Sequence, residues 1–93
     1  MRKINPDNIV NRSVNLLSTE LDDETILMSV DQGKYFGMDR TSREIWRRLE
    51  KPVKVAELIA ALATTYDVSP AVCQCDVIEF LEDLLQEQLI VVV

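Results

Sequence analysis

Residues 33–46, GKYFGMDRTSREIW, pass from a β-strand pattern directly into the start of a helix. Aromatic and apolar side chains alternate through KYFGM with the period of two that an extended strand shows. Thr41 with Glu44 then fits a helix capping box, and Asp39 is a competing N-cap residue. This stretch therefore predicts a strand followed by a helix, which restricts the folds open to the chain.

Two further segments upstream predict strands. They are SVNLLS (13–18) and TILMSV (25–30), and the third strand is KYFGMD (34–39). In the second segment, Ile26, Met28 and Val30 fall on one face, and Thr25, Leu27 and Ser29 fall on the other. Gly33 supplies the turn before the third strand because glycine adopts positive φ readily. The expected sheet is a three-stranded antiparallel meander.

Three helices follow the meander. The first ends at Lys51–Pro52, because the residue before a proline is biased away from helix. The second runs from about Lys54 to Tyr66, with one apolar face. Ser69 caps the third, which has Pro70 in its first turn and continues to about Gln88. LIVVV (89–93) forms a terminal strand or an apolar tail packed against the sheet. The predicted fold class is α+β, with a winged helix-turn-helix arrangement.

At 93 residues the chain has the size of one domain. Residues 1–12 are polar and carry Pro6, so we predict a flexible N-terminal arm there and a single domain over residues 13–93. No apolar run approaches the roughly 20 residues of a membrane span, and no signal-peptide hydrophobic region is present. These features predict a cytoplasmic protein with no membrane partner.

The charges argue against a nucleic-acid partner. The net charge is −6, and no Lys or Arg occurs from Val55 to Val93. The third helix stands where a helix-turn-helix protein places its recognition helix, and it carries acids and no base. Carboxylates there would repel DNA phosphates. The basic residues between 40 and 54 could contact phosphate, but they fit a solvated helix face better.

The sequence also argues against catalysis and metal binding by this chain. It contains no histidine, and the phosphate-binding and nucleophile motifs that require several glycines are missing. Cys73 and Cys75 would need two more ligands to hold zinc, and neither a histidine nor a third cysteine is available. Neighbours two apart on a helix also point in different directions. We expect no enzyme activity, no metal and no cofactor.

The remaining feature is the third strand, which turns into helix and leaves one edge without a later neighbour. Such an edge can pair with another extended chain. The alternative is that Leu89–Val93 covers it. The third helix would supply a second wall, with Ile78 and Leu85 half-exposed between Gln74, Cys75 and Glu82. The alternative for Ile78 and Leu85 is that they complete the core or a dimer contact. An open edge beside an apolar helix suits β-augmentation by a peptide.

The ordered set of motifs over residues 24–91 resembles the PqqD-like proteins, which are the leader-peptide recognition domains of ribosomally made peptide (RiPP) pathways. The matching pieces are the aromatic strand, a short IW..L helix, V.EL...L...Y and DV..FL..L....L. The form GKYFGMD is most similar to the freestanding leader-binding proteins of lasso peptide biosynthesis. The segment EKPVKV departs from the family, because Pro52 stands where an Asp-Gly turn is common.

The resemblance implies a non-catalytic adaptor that binds the leader of a precursor peptide. The leader would add as an antiparallel strand to the third strand, at Lys34, Tyr35, Phe36, Gly37 and Met38. It would lie against the third helix at Gln74, Cys75, Ile78, Glu82 and Leu85. The implied protein partners are a separate leader protease and a cyclase.

Two other interpretations remain open at the level of the sequence. One is an adaptor that presents a precursor peptide to a radical SAM enzyme, as in quinone cofactor synthesis. The other belongs to a different class, an acidic winged-helix regulator or dimerisation module.

Overall fold

The computed structural model describes residues 4–22 and 24–93. In this part of the chain, two three-stranded antiparallel sheets and three helices surround one core. The elements are β1 (Ile9–Arg12), β2 (Leu16–Leu21), β3 (Glu24–Ser29), β4 (Lys34–Met38), α1 (Arg40–Arg48), β5 (Val53–Lys54), α2 (Val55–Tyr66), α3 (Pro70–Gln86) and β6 (Ile90–Val92). The predicted α+β class, with a meander followed by three helices, is confirmed.

The meander sheet has the order β2–β3–β4, and each strand is antiparallel to the next. Its inner face packs on the helices, and Leu27 at the centre of β3 is fully buried there. Thr25 and Ser29 share this inner face and are also buried, whereas Val30 is half exposed. The alternation predicted for this strand is therefore correct, and the face with Thr25, Leu27 and Ser29 is the one that packs on the core.

The second sheet, with the order β5–β1–β6, was not predicted. Its central strand β1 pairs with β5 on one side and with β6 on the other. Val10 is fully buried in β1, and Ile4 ahead of it is only 3% exposed. The prediction of a flexible arm is thus wrong for residues 4–12, and residues 1–3 lie outside the described residues. Both partners of β1 are distant in sequence, so no local pattern indicated the pairing.

The C-terminal segment forms a strand, which was one of the two predicted outcomes. Gln88 takes a positive φ of 63° after α3 and turns the chain back. β6 then pairs with β1 through Val10–Val92 and Arg12–Ile90. It does not pair with β4, so the alternative in which Leu89–Val93 covers the third meander strand is not what the structure shows.

The helix caps follow from short polar side chains. At α1 the carboxylate of Asp39 accepts a hydrogen bond from the Ser42 amide at 2.9 Å, so Asp39 is the N-cap rather than Thr41. Hydrogen bonds from Ser42 and from the Thr41 amide stabilise the charged carboxylate and lower the pKa of Asp39. Ser69 caps α3 as predicted, through the Val72 amide. Asp67, at a φ of 53°, ends α2 in the left-handed conformation.

The core lies between the inner face of the meander, the second sheet and the helices. Leu49, Leu58, Leu62 and Leu81 are at most 2% exposed, and Trp46 is 4% exposed. Among the described residues, no single helix is long and apolar enough to cross a membrane. Helices α2 and α3 meet that criterion only when taken together, and they are bent by 120° with respect to each other.

The second sheet can be tested by truncating a side chain in its central strand. Val10→Ala should lower the free energy of unfolding by about 1.5–3 kcal/mol, because it removes buried methyl groups and leaves a cavity. Ile9→Ala is the matched control on the same strand, where the side chain is 40% exposed. It should cost clearly less in the same urea titration. Equal, small effects of both changes would mean that β1 does not contribute to the core.

Candidate functional site

Strand β4 lies at one edge of the meander sheet, and β3 is its only strand neighbour among the described residues. Opposite residues in an antiparallel pair alternate between those that exchange backbone hydrogen bonds and those that do not. Asn15 and Val30 form a hydrogen-bonded pair, because the Val30 amide donates a hydrogen bond to the Asn15 carbonyl at 3.1 Å. This bond fixes the alternation for the whole sheet.

It follows that Leu27 on β3 directs its backbone groups towards β4, where Phe36 is its partner. Lys34 and Met38 bond to β3 in the same way. The N–H and C=O groups of Tyr35 and Gly37 therefore point away from the sheet, towards the open edge. These are the groups that an added strand would pair with.

The beginning of β4 is held next to the end of α3. The Lys34 ammonium lies 3.7 Å from a carboxylate oxygen of Glu87, the C-cap residue of α3. Gln32, in the turn before β4, donates its side-chain N–H to the Glu87 carbonyl at 2.7 Å. The ion pair is exposed and contributes little stability by itself. The two contacts nevertheless fix which end of α3 meets the start of the strand.

The far end of β4 leads towards the first half of α3. Thr41, three residues after Met38, lines a cavity of about 260 Å³ between the helices. Phe80 and Asp76 of α3 line the same cavity. Its walls are mostly apolar, and its lining residues are Thr41, Ile45, Leu62, Tyr66, Val68, Cys73, Asp76, Val77 and Phe80. The start of β4 is thus tied to the C-terminal end of α3, and Thr41 beyond its other end shares a cavity with Asp76 and Phe80.

The residues of α3 that take part in these contacts share one flank of the helix. Asp76, Phe80, Asp83 and Glu87 are spaced by four, three and four residues, so they lie above one another on the helix. We call the space between this flank and the open edge of β4 the groove. Its α3 wall is acidic around Phe80, and no Lys or Arg occurs in the chain after Lys54.

The structure places the helical residues predicted from the sequence on the other flank of α3. Ile78 lies about 160° round the helix from Phe80. Glu82 accepts a hydrogen bond from the Ile4 amide at 3.0 Å, next to the N-terminal segment. Leu85 lines a different cavity, together with Leu16 and residues of β6.

Gln74 and Cys75 on the same flank are exposed. The ion pair of Lys34, which is itself a predicted residue, and the hydrogen bond of Gln32 therefore reach α3 at Glu87 and not at these five helical residues. Cys73, Val77, Leu81 and Leu84 form the buried stripe of α3, and the sequence pattern is equally consistent with a peptide site on either side of this stripe. Asp76, Phe80, Asp83 and Glu87, on the other side of that stripe, are further candidates that the sequence did not single out. Their shared spacing was the available signal, but it does not say which neighbour the flank faces.

Known proteins resemble this chain both in sequence and in fold. The sequence profile described as coenzyme PQQ synthesis protein D (PqqD) matches residues 24–90. The chain belongs to the PqqD family. Its structure is similar to that of TbiB1 in complex with the TbiA(beta) leader peptide, with a TM-score of 0.79 and 30% sequence identity. The match covers 86% of this chain and 93% of that one. No match to a curated protein was found.

The two cysteines of this PqqD-family chain have different environments. Cys73 is buried, and its Sγ lies 3.6 Å from the Ile59 carbonyl. Burial, followed by the nearby charge of Asp76, raises the pKa of the Cys73 thiol. Cys75 is exposed. Among the described residues, no group of three or more His, Cys, Asp and Glu side chains is arranged to hold a metal ion.

This difference predicts selective thiol chemistry. In the folded protein one thiol, Cys75, should react quickly with a disulfide reagent, and Cys73 should react only slowly, because it is buried and resists ionisation. The absorbance of the thiolate released from the reagent would report the fast and the slow phase of the reaction. Cys75→Ser should remove the fast phase and Cys73→Ser the slow one. A fast phase that survives in Cys75→Ser would contradict the burial of Cys73.

Proposed function

We propose that this PqqD-family protein binds the leader of a ribosomally made precursor peptide by adding it as a strand to β4. The observation that supports the proposal is the open edge of β4 at Tyr35 and Gly37, on a strand whose first residue is paired with the C-cap residue of α3. Backbone hydrogen bonds to the edge would give affinity with little dependence on sequence, and the groove would set the register.

The relation to TbiB1 supports this choice. That protein was solved with a leader peptide bound, and it shares 30% identity with this chain over nearly its whole length. A related sequence with the same fold is more informative here than the fold alone, because winged-helix folds host many functions.

The chemistry of the groove suggests which leader segment binds. The cavity of about 260 Å³ beside Phe80 is mostly apolar and has room for one large apolar side chain. Asp76 lines it, and Asp83 and Glu87 follow on the same flank of α3 towards the C-terminal end of the helix. We therefore expect an extended segment that carries an apolar or aromatic anchor, with basic residues next to the anchor.

The role we infer is that of an adaptor without catalysis of its own, acting in the cytoplasm. Bound to the edge, the leader would be held close to a separate leader protease, and its effective concentration at that enzyme would rise. A cyclase is the further partner implied by the lasso-type resemblance. The chain itself contains no histidine to act as a general base.

A second candidate is favoured by the family description, which refers to coenzyme PQQ synthesis. In that case the same groove would present a precursor to a radical SAM enzyme. The genes beside this one distinguish the two candidates, since a protease gene with a cyclase gene indicates the first, and a gene with an iron–sulfur cysteine motif indicates the second. A DNA-binding regulator is disfavoured, because α3 carries acids and no base.

Strand addition can be tested by removing one edge donor. Tyr35→Pro deletes the N–H that points out of the sheet, while the bonds of β4 to β3 stay intact. Binding of the leader from the precursor encoded beside this gene, measured by calorimetry, should weaken by about 1–3 kcal/mol.

The control is Tyr35→Ala, which keeps the donor and removes a side chain that is 69% exposed. It should change affinity by less than about 0.5 kcal/mol. If wild-type protein fails to bind the leader, the proposed function falls. If Tyr35→Pro binds as well as Tyr35→Ala does, the leader does not add to β4.

The flank of α3 that meets the leader can be tested with a pair of half-buried residues. Phe80→Ala should weaken leader binding by about 1–3 kcal/mol, since Phe80 lines the groove cavity. Ile78→Ala, on the opposite flank, should leave binding unchanged. Thermal melts of both variants would show that each is folded. The reverse result would place the leader on the flank with Gln74, Cys75, Ile78, Glu82 and Leu85, as the sequence predicted.

A further inference from the structure

The meander sheet has a second edge, at β2, which has no strand neighbour other than β3 among the described residues. The bond between Asn15 and Val30 fixes its alternation too. Because Leu17 and Thr19 bond to β3, the backbone groups of Leu16, Ser18 and Glu20 point outwards. Natural edge strands are commonly protected by Lys, Pro or a covering segment. Leu16–Leu21 contains neither Lys nor Pro, and every residue after Leu16 is exposed. Its one charged residue, Glu20, is paired with Arg43 and Arg47.

A cavity of about 410 Å³ opens beside this edge. Ser18 and Glu20 lie on its β2 side. Arg12 of β1 and Arg43 and Arg47 of α1 line the rest, together with Thr25, Trp46 and Glu50. Three guanidinium groups thus share one cavity with two carboxylates, next to a strand whose outward hydrogen-bonding groups are available.

Hydrogen bonds hold the three arginines in place and use only some of their N–H donors. Arg12 donates through Nε and Nη2 to the Trp46 carbonyl, at 3.1 and 2.6 Å, and its guanidinium stacks 4.5 Å from the centre of the Trp46 ring. Arg43 and Arg47 both donate to the same oxygen of Glu20, at 3.2 and 3.4 Å. A guanidinium has five N–H donors, so one carboxylate oxygen does not saturate two of them.

The geometry of strand pairing says which side chains would reach this cavity. In an antiparallel pair, residues directly opposite share a face of the sheet. A residue added opposite Ser18 would therefore point to the inner face, where the cavity lies. Residues on either side of it would point to the outer face, beside the exposed Leu17 and Leu21.

We propose that β2 is a second strand-addition site, and that it takes an extended acidic segment of a partner protein. The segment would alternate Glu or Asp, facing Arg12, Arg43 and Arg47, with β-branched or apolar residues on the outer face. This site is separate from the groove at β4, two strand spacings or about 10 Å away across the sheet. Both edges can be occupied at once. An acidic strand at β2 and a basic leader at β4 would make the sheet a bridge between a peptide and a second protein.

The test uses two blocked seven-residue peptides, one alternating Glu with Thr and the other alternating Lys with Thr. Each is titrated into ¹⁵N-labelled full-length protein, and amide shifts are followed. The glutamate peptide should shift Leu16, Ser18 and Glu20, and added salt should weaken its binding. It should not shift Tyr35 and Gly37. Shifts only at Tyr35 and Gly37, no shifts at all, or equal binding of the lysine peptide at β2 would overturn the proposal.

Two pairs of variants complete the test. Ser18→Pro removes an outward N–H and should weaken binding of the glutamate peptide about three- to tenfold, the effect of one hydrogen bond, whereas Ser18→Ala should not. Arg47→Ala should weaken binding, whereas Lys51→Ala, an exposed base outside the cavity, should not. If Arg47→Ala and Lys51→Ala have the same effect, the cavity does not recognise the acid.

Dilution of the protein without peptide tests whether β2 pairs with a second copy of this chain. Shifts of Leu16, Ser18 and Glu20 that depend on protein concentration without peptide would mean that β2 pairs with a second copy, and would overturn the proposal. The leader titration is read at Tyr35 and Gly37, so the proposed function and the β2 site can fail independently.

Discussion

The pairing of β6 with β1 is the interaction on which the rest of this structure depends. It joins the N-terminal segment to the C-terminal strand in one small sheet, which β5 completes on the other side of β1. It also uses the one C-terminal strand that could have extended the meander. Since β6 is engaged there, β4 keeps an open edge. Val10 at the centre of β1 and Ile90 in β6 are almost fully buried, so this arrangement is part of the hydrophobic core and not a surface contact.

The same packing orients α3. The N-terminal segment occupies one flank of the helix, where the Ile4 amide binds Glu82, and the turn before β4 is tied to the C-cap residue of α3 by Gln32. These two contacts hold opposite flanks of α3, one against the N-terminal segment and the other against the turn before β4. A groove that combines open backbone groups, an apolar cavity and acidic side chains is suited to an extended peptide with an apolar anchor. The opposite edge of the sheet has the opposite charge, because α1 presents its arginines there.

Much of the fold could be predicted because it is encoded locally. Strand alternation in residues 24–38, the polar caps at Ser69 and before α1, and the apolar stripes of the helices each act within a few residues of the chain. The second sheet could not be predicted in this way. Its strands have two to four residues and pair across long sequence separations, and the polar composition of the first twelve residues concealed the buried positions of Ile4 and Val10.

The sequence by itself determined the meander, the three helices, the family and the excess of acid in the C-terminal half. It also identified β4 as a strand with an unpaired edge, because the chain turns into a helix directly after it. Only the tertiary structure shows that the turn before β4 and the start of this strand contact α3 at Glu87, and that β2 offers a second edge beside three arginines. A helix has apolar neighbours on both sides of its buried stripe, and its pattern is nearly symmetric about that stripe. Contacts from distant parts of the chain are needed to select one side.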